Sequence, residues 1–240
     1  MAGAWRRYSI INHIRIGKGR ELLFLHGWGG SIDSFNKAQS LADHFTITIV
    51  DLYGFGKTPP PNHPVDLDFY IRGVLALIKH YKMDDIIVIG HSFGGRIAIK
   101  LAATCNRVAG LVLADSAGIR PHRGLKYYLK IYAYKLRRLL KLKTADCGSS
   151  DYRKLSGAMK KTFINIVNED LSGIAKNILV PTLLIWGSND IETPIYMCKK
   201  LNKYIAKSKL IVFEGAGHFA YLEQSGRFID LVREFANGVI

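Results

Sequence analysis

Ser92 sits in Ile89-Gly90-His91-Ser92-Phe93-Gly94-Gly95, a G-x-S-x-G run. The apolar Ile86-Ile87-Val88-Ile89 precedes it and the helix-like Arg96-Ile97-Ala98-Ile99-Lys100-Leu101-Ala102-Ala103 follows. A buried strand that turns sharply into a helix leaves the middle residue on a tight elbow. Glycines flank it because a Cβ there would strike the neighbouring strand or helix. The Ser92 hydroxyl is then expected to stand at the carboxyl edge of a sheet, over the positive end of a helix. A hydroxyl so placed can attack a carbonyl carbon if a base takes its proton. The base in turn needs a carboxylate that fixes its tautomer and steadies its charged form. The chain offers both. His218 lies in Glu214-Gly215-Ala216-Gly217-His218-Phe219, after the apolar Leu210-Ile211-Val212-Phe213. Asp190 ends Gly187-Ser188-Asn189-Asp190, after the apolar Thr182-Leu183-Leu184-Ile185-Trp186. A third segment, Leu22-Leu23-Phe24-Leu25-His26-Gly27-Trp28-Gly29-Gly30, is a strand opening into a small-residue loop. Backbone N–H groups of such a loop can approach an oxyanion as it develops.

Elements of two periods must hold these residues. Strands are expected at Ser9–Ile16, Glu21–His26, Thr46–Asp51, Ile86–Gly90, Val108–Ala114, Pro181–Trp186 and Leu210–Phe213, and helices at Asp68–Tyr81, Gly94–Ala103, Pro194–Ile205 and Gly226–Ala236. Their βαβ alternation predicts an α/β fold with a mostly parallel, doubly wound sheet. The 240 residues suit one α/β domain with an insertion, and a 48% hydrophobic content can bury such a sheet on both faces. Pro59-Pro60-Pro61 and Pro64 make a stiff surface loop before the Asp68 helix.

With these four segments in this order, the chain resembles the α/β-hydrolase superfamily over nearly its whole length. The order Ser92, Asp190, His218 is that family's order. By position, the resemblance implies that Ser92 is the nucleophile, His218 the general base and acid, and Asp190 the orienting carboxylate. It assigns the oxyanion hole to the N–H groups of Trp28 and Phe93. Asp51-Leu52-Tyr53-Gly54-Phe55-Gly56 matches the family's D-x-x-G-x-G segment, a turn that shapes the pocket rim. The stretch from 119 to 177 breaks the alternation where the family inserts a helical cap, so the core is expected at 1–118 and 178–240. Leu125, Tyr128, Leu129, Tyr132, Leu136, Leu139 and Leu140 recur there at helical spacing, and a further helical piece is expected between Asp151 and Asp170.

Other residues compete for these roles. Asp115 closes the strand ending in Val112-Leu113-Ala114, a place from which some relatives take their acid, but W-G-x-x-D-x-x-x-P through Pro194 favours Asp190. Glu192 is two positions off that pattern and is expected to face solvent. His26 and His91 are read as packed histidines that support the loops. His13, His44, His63, His80 and His122 show no ligand spacing, and there is no H-E-x-x-H or C-x-x-C, so neither a metal nor a cofactor is expected.

Ser rather than Asp at the elbow favours acyl-enzyme chemistry over displacement at an sp³ carbon. The H-G-W-G loop and short chain resemble small carboxylesterases, including pimeloyl-carrier-protein methyl ester esterases. The implied function is hydrolysis of a carboxylic ester or thioester. Carbon–carbon bond or enol-lactone hydrolysis by the same three residues is the alternative, although Phe219 replaces the tryptophan usual after the histidine in the carbon–carbon hydrolases. A binding protein acting through a basic cap is a third reading. Arg120, Arg123, Lys126, Lys130, Lys135, Arg137, Arg138, Lys141 and Lys143 run without an intervening acid and supply more than half of the formal +15 charge. Such a run is either a solvated face or a landing surface for an acidic carrier protein, an anionic membrane surface or an anionic substrate. Nucleic acid is not expected, no run reaches the ~20 apolar residues of a membrane span, and Cys105, Cys147 and Cys198 without paired spacing suit the cytoplasm.

Overall fold

A computed structural model describes residues 10–120, 155 and 157–238. Seven strands form one sheet in the order β1-β3-β2-β4-β5-β6-β7. They are β1 (His13–Ile16), β2 (Arg20–Leu25), β3 (Phe45–Val50), β4 (Ile86–His91), β5 (Val108–Ala114), β6 (Thr182–Gly187) and β7 (Ser208–Phe213). β1 runs antiparallel to β3, and every other pairing is parallel. The helices are α1 (Leu67–His80), α2 (Phe93–Thr104), α3 (Gly157–Asn168), α4 (Ser172–Ala175), α5 (Ile195–Tyr204), α6 (Ala220–Glu223) and α7 (Ser225–Ala236).

The near-continuous apolar strands follow from cover on both faces. Alternate residues Leu23, Leu25, Ile86 and Val88 pack with α1, α2 and α5, while Leu22, Phe24, Ile87 and Ile89 pack with α7 and the segment Ile32–Asp43. Each fully buried Leu or Ile contributes roughly 1.5–3 kcal/mol against exposure, so a one-residue slip that swapped the faces would disrupt both layers. α1 begins where Asp66 accepts the Phe69 N–H at 2.9 Å, which caps the helix.

The structure departs from the sequence expectations in two places. β1 starts at His13, because Ile10–Asn12 lies outside the ladder with β3, and Ser9, the expected start, lies outside the described residues. Ile32–Asp43 forms a kinked 3-10 segment, unforeseen because its turn-rich sequence lacks a strong helical stripe. Within the helical piece expected between Asp151 and Asp170, the described residues form α3 from Gly157 to Asn168. The apolar stripe from Leu125 to Leu140 and eight of the nine cations of the basic run lie outside the described residues, as does Cys147. The ninth, Arg120, donates to the Asn168 carbonyl at 2.8 Å.

Candidate active site

The carboxyl ends of β4, β5 and β6 and the loop after β7 meet at one place. At the end of β4, Ser92 takes φ 49° and ψ −111°, a left-handed conformation unusual for a residue with a Cβ. The surroundings impose it. A Cβ on Gly90 would lie 2.7 Å from the Gly94 carbonyl oxygen, and one on Gly94 would run into the Leu25 backbone. β2, the elbow and α2 can pack this closely only through glycine. The Ser92 carbonyl then accepts the N–H groups of Gly95 and Ala117, both at 3.1 Å, which fixes the turn to α2 and to the segment after β5.

His218 Nε2 lies 3.0 Å from Ser92 Oγ, and its Nδ1 lies 2.9 Å from Asp190 Oδ2. A carboxylate can only accept, so Nδ1 carries hydrogen and the neutral ring leaves Nε2 free to accept from the serine. Asp190 is held by further donors. Thr193 Oγ1 is 2.6 Å from Oδ2, and the N–H groups of Glu192 and Thr193 donate to Oδ1 at 2.8 and 2.9 Å. Trp186, fully buried, donates its indole N–H to the Thr193 carbonyl at 2.6 Å. The tryptophan of the W-G-x-x-D run thus holds the loop that presents the acid.

Electrostatics follow from these contacts. Burial would raise the Asp190 pKa, but hydrogen bonds from His218 and Thr193 bring it below the usual carboxylate value. Burial likewise works against a charged His218, yet the bond and charge of Asp190, with Glu192 and Asp115 adding, lift its pKa above 6.5. His91 donates through Nε2 to the His218 carbonyl at 2.9 Å, and burial, then the nearby His218, pushes its pKa down to about 3. A neutral His91 therefore braces the His218 backbone. His26 joins two loops, donating from Nδ1 to the Gly27 carbonyl at 2.7 Å and accepting the Leu52 N–H on Nε2 at 3.0 Å.

Phe93 is the first residue of α2, where an N–H has no acceptor within the helix. Trp28 stands beside it, ring centroids 5.2 Å apart, in the loop after β2. Above them α3 brings Phe163 to 4.9 Å from the Trp28 ring. Core side chains tie α3 down. Thr162 Oγ1 accepts the Val65 N–H at 3.0 Å, and the buried Arg96 donates to the Glu169 carbonyl at 2.8 Å. Lys100 bridges Asp68 and Glu169 at 2.6 and 2.7 Å. A cavity of about 100 Å³ opens between Trp28, Ser92, Glu192, His218, Phe219 and Tyr221. Among the described residues, no group of three or more His, Cys, Asp or Glu side chains is arranged to hold a metal ion, and no helix is long and apolar enough to cross a membrane.

The family model described as "Alpha/beta hydrolase family" matches residues 22–231. The chain belongs to the alpha/beta hydrolase family. Within it, the chain is 29% identical to the AB hydrolase superfamily protein YisY of Bacillus subtilis, with 92% of this chain and 93% of that one covered. It is 25% identical to the pimeloyl-[acyl-carrier protein] methyl ester esterase of Vibrio campbellii, covering 92% and 96%. An esterase from Exiguobacterium antarcticum superposes with a TM-score of 0.77 over 95% of each chain at 23% identity. The chain is accordingly a hydrolase-family enzyme with esterase-like relatives.

Against this family background, the structure brings Ser92, His218 and Asp190 into one hydrogen-bonded line, with Trp28 and Phe93 beside the serine. Asp115, the competing acid, does not touch the His218 ring. It accepts the Gly187 N–H at 2.8 Å and the Ala220 N–H at 3.2 Å. Glu192 faces solvent as expected, with 59% of its side chain exposed, and its Oε2 also lies 3.3 Å from His218 Nε2. The loop carries it there, because the Glu192 N–H is tied to Asp190 Oδ1. Thr193 and Phe163 were not singled out from sequence. Thr193 occupies an unspecified position of the W-G-x-x-D-x-x-x-P run, and nothing local marks Phe163.

Proposed function

We propose that the chain is a serine hydrolase cleaving a carboxylic ester or thioester through an acyl-enzyme. The observation that carries this reading is the line Asp190–His218–Ser92, with separations of 2.9 and 3.0 Å. Ser92 Oγ attacks the carbonyl carbon as His218 Nε2 takes its proton. The oxyanion forms against the N–H groups of Trp28 and Phe93, each contributing on the order of 3 kcal/mol to lowering the barrier. Collapse breaks the ester bond as Nε2 protonates the departing alcohol or thiol. Water then attacks the acyl-Ser92 carbonyl by the same route and frees the acid. Asp190, kept ionised by its donors, holds His218 in the productive tautomer.

Residues 1–118 and 178–240 form the proposed core, and 119–177 a helical cap whose α3 roofs the pocket. The basic run from Arg120 to Lys143 suits an anionic or carrier-borne acyl group, the kind of ester named in the Vibrio campbellii relative, and the unpaired cysteine spacing suits the cytoplasm. Turnover of p-nitrophenyl esters from acetate to palmitate, wild type beside Ser92→Ala, tests the mechanism. Loss of about 10³-fold or more is expected in the variant, with the melting temperature retained. Equal turnover would overturn the acyl-enzyme reading. Inert simple esters, with Ser92-dependent cleavage of vinylogous diketones or enol lactones, would move the assignment to that chemistry.

A further inference from the structure

Glu192 is a carboxylate at the reacting atoms that the proposed mechanism does not use. Its Oε2 lies 3.3 Å from His218 Nε2. Nε2 is the atom that hands a proton to the departing alcohol, so Glu192 stands on the leaving-group side of the pocket. The adjoining cavity of about 100 Å³ is lined by the aromatic side chains of Trp28, Phe219 and Tyr221, and it has room for a small head group. Aromatic faces carry negative charge density, and a carboxylate beside them adds a full charge, an environment that favours a partly desolvated cation. The other titratable ring lining this cavity, His91, is held neutral by burial. Among the described residues, the lining group that can oppose a cation is His218, whose pKa is raised and whose ring is positive while it holds the serine proton, so Glu192 must offset that charge as well as meet the cation. The site is opposite in sign to the chain as a whole, which carries +15. Long-range steering by the whole chain therefore works against cations, and any preference must arise at contact distance, where screening by salt is weakest.

We infer that Glu192, with Trp28, Phe219 and Tyr221, forms a subsite for a quaternary ammonium group on the alcohol half of the ester, an inference that rests on the serine hydrolase reading of the same site. Glu192 is a specificity residue in this scheme. It meets the leaving group beyond the scissile bond and passes no proton itself, although its charge is among those that raise the His218 pKa.

The test pairs binding with turnover at about 0.15 M salt. Choline and its uncharged isostere 3,3-dimethylbutan-1-ol are titrated by calorimetry, and kcat/KM is measured for their butyrate esters. Wild type is expected to favour the cation by about tenfold in both measurements, Glu192→Gln to bring the ratio to within about twofold, and Glu192→Asp to restore part of it. A wild type without preference, or a Glu192→Gln variant that keeps it, overturns the subsite. Selective choline binding without Ser92-dependent cleavage of either ester would support the subsite and overturn the acyl-enzyme reading instead.

Discussion

The carboxyl ends of β5 and β6 each present a buried aspartate, and the two differ in almost everything but residue type. Asp115 is fully buried and Asp190 is 5% exposed. Asp190 gathers two backbone N–H groups, the Thr193 hydroxyl and the His218 ring, and stays below the usual carboxylate pKa. Asp115 gathers the N–H groups of Gly187 and Ala220, too few to offset burial, and its pKa rises to about 7. Burial opposes the charge of both, more so for Asp115, which also feels the Asp190 charge, and the donors of Asp190 keep it the dependable anion. The comparison also separates their tasks. Asp190 faces the His218 ring, whereas Asp115 ties the end of β6 to the residue two places beyond His218, so that the acid and the histidine keep a common frame.

Substitutions can break this contrast. The largest effect is expected for Asp190→Asn. An amide can donate to Nδ1 and so favour the tautomer with hydrogen on Nε2, which cannot accept from Ser92. Ester kcat should fall by about 10⁴-fold with the fold retained, and a loss below tenfold would remove Asp190 from the mechanism. Asp115→Asn is expected to cost about tenfold in kcat and about 1–2 kcal/mol of stability, because the amide nitrogen cannot accept one of the two N–H groups. Chemical denaturation and ester kinetics measure the two effects. An activity loss as large as that of Asp190→Asn would erase the distinction drawn here.

The pH dependence sharpens it. Folded Asp115 keeps its proton to about pH 7, whereas the unfolded chain releases it near 3.8. In that window the folded state binds more protons, so this group's contribution to stability falls as pH rises and is level above it. Asp115→Asn should flatten that component of a Tm-against-pH curve; an unchanged slope would contradict the raised pKa. The smallest effect concerns the acid limb of kcat/KM. In the proposed mechanism His218 must be neutral to take the serine proton, and its pKa is raised, so activity should fall below a limb lying above 6.5. Asp115→Asn should move that limb slightly down, since Asp115 is among the charges that favour protonated His218.

Much of the sheet was legible because its signals are local. Uninterrupted apolar runs such as Leu22–Leu25 and Ile86–Ile89 require cover on both faces, and the glycines at 90 and 94 announce a backbone approach too close for any Cβ. Strand limits were less legible, since whether Ile10–Asn12 joins β1 depends on how far β3 reaches alongside it. The 3-10 segment at Ile32–Asp43 was hidden for a related reason. Phe35, Ala38 and Leu41 become an inner face only where the sheet and α7 offer them a surface.

Sequence by itself determined the mostly parallel α/β architecture, the family, and the placement of Ser92, Asp190 and His218 at the ends of apolar strands, because each depends on short-range pattern. The tertiary structure decided which of two buried aspartates faces the histidine ring and which braces the backbone. It also turned Glu192, two residues past the acid, back toward Nε2, and it laid Phe163 over Trp28. These outcomes depend on donors and surfaces drawn from strands and loops distant in sequence, which only packing brings to within hydrogen-bond or van der Waals range.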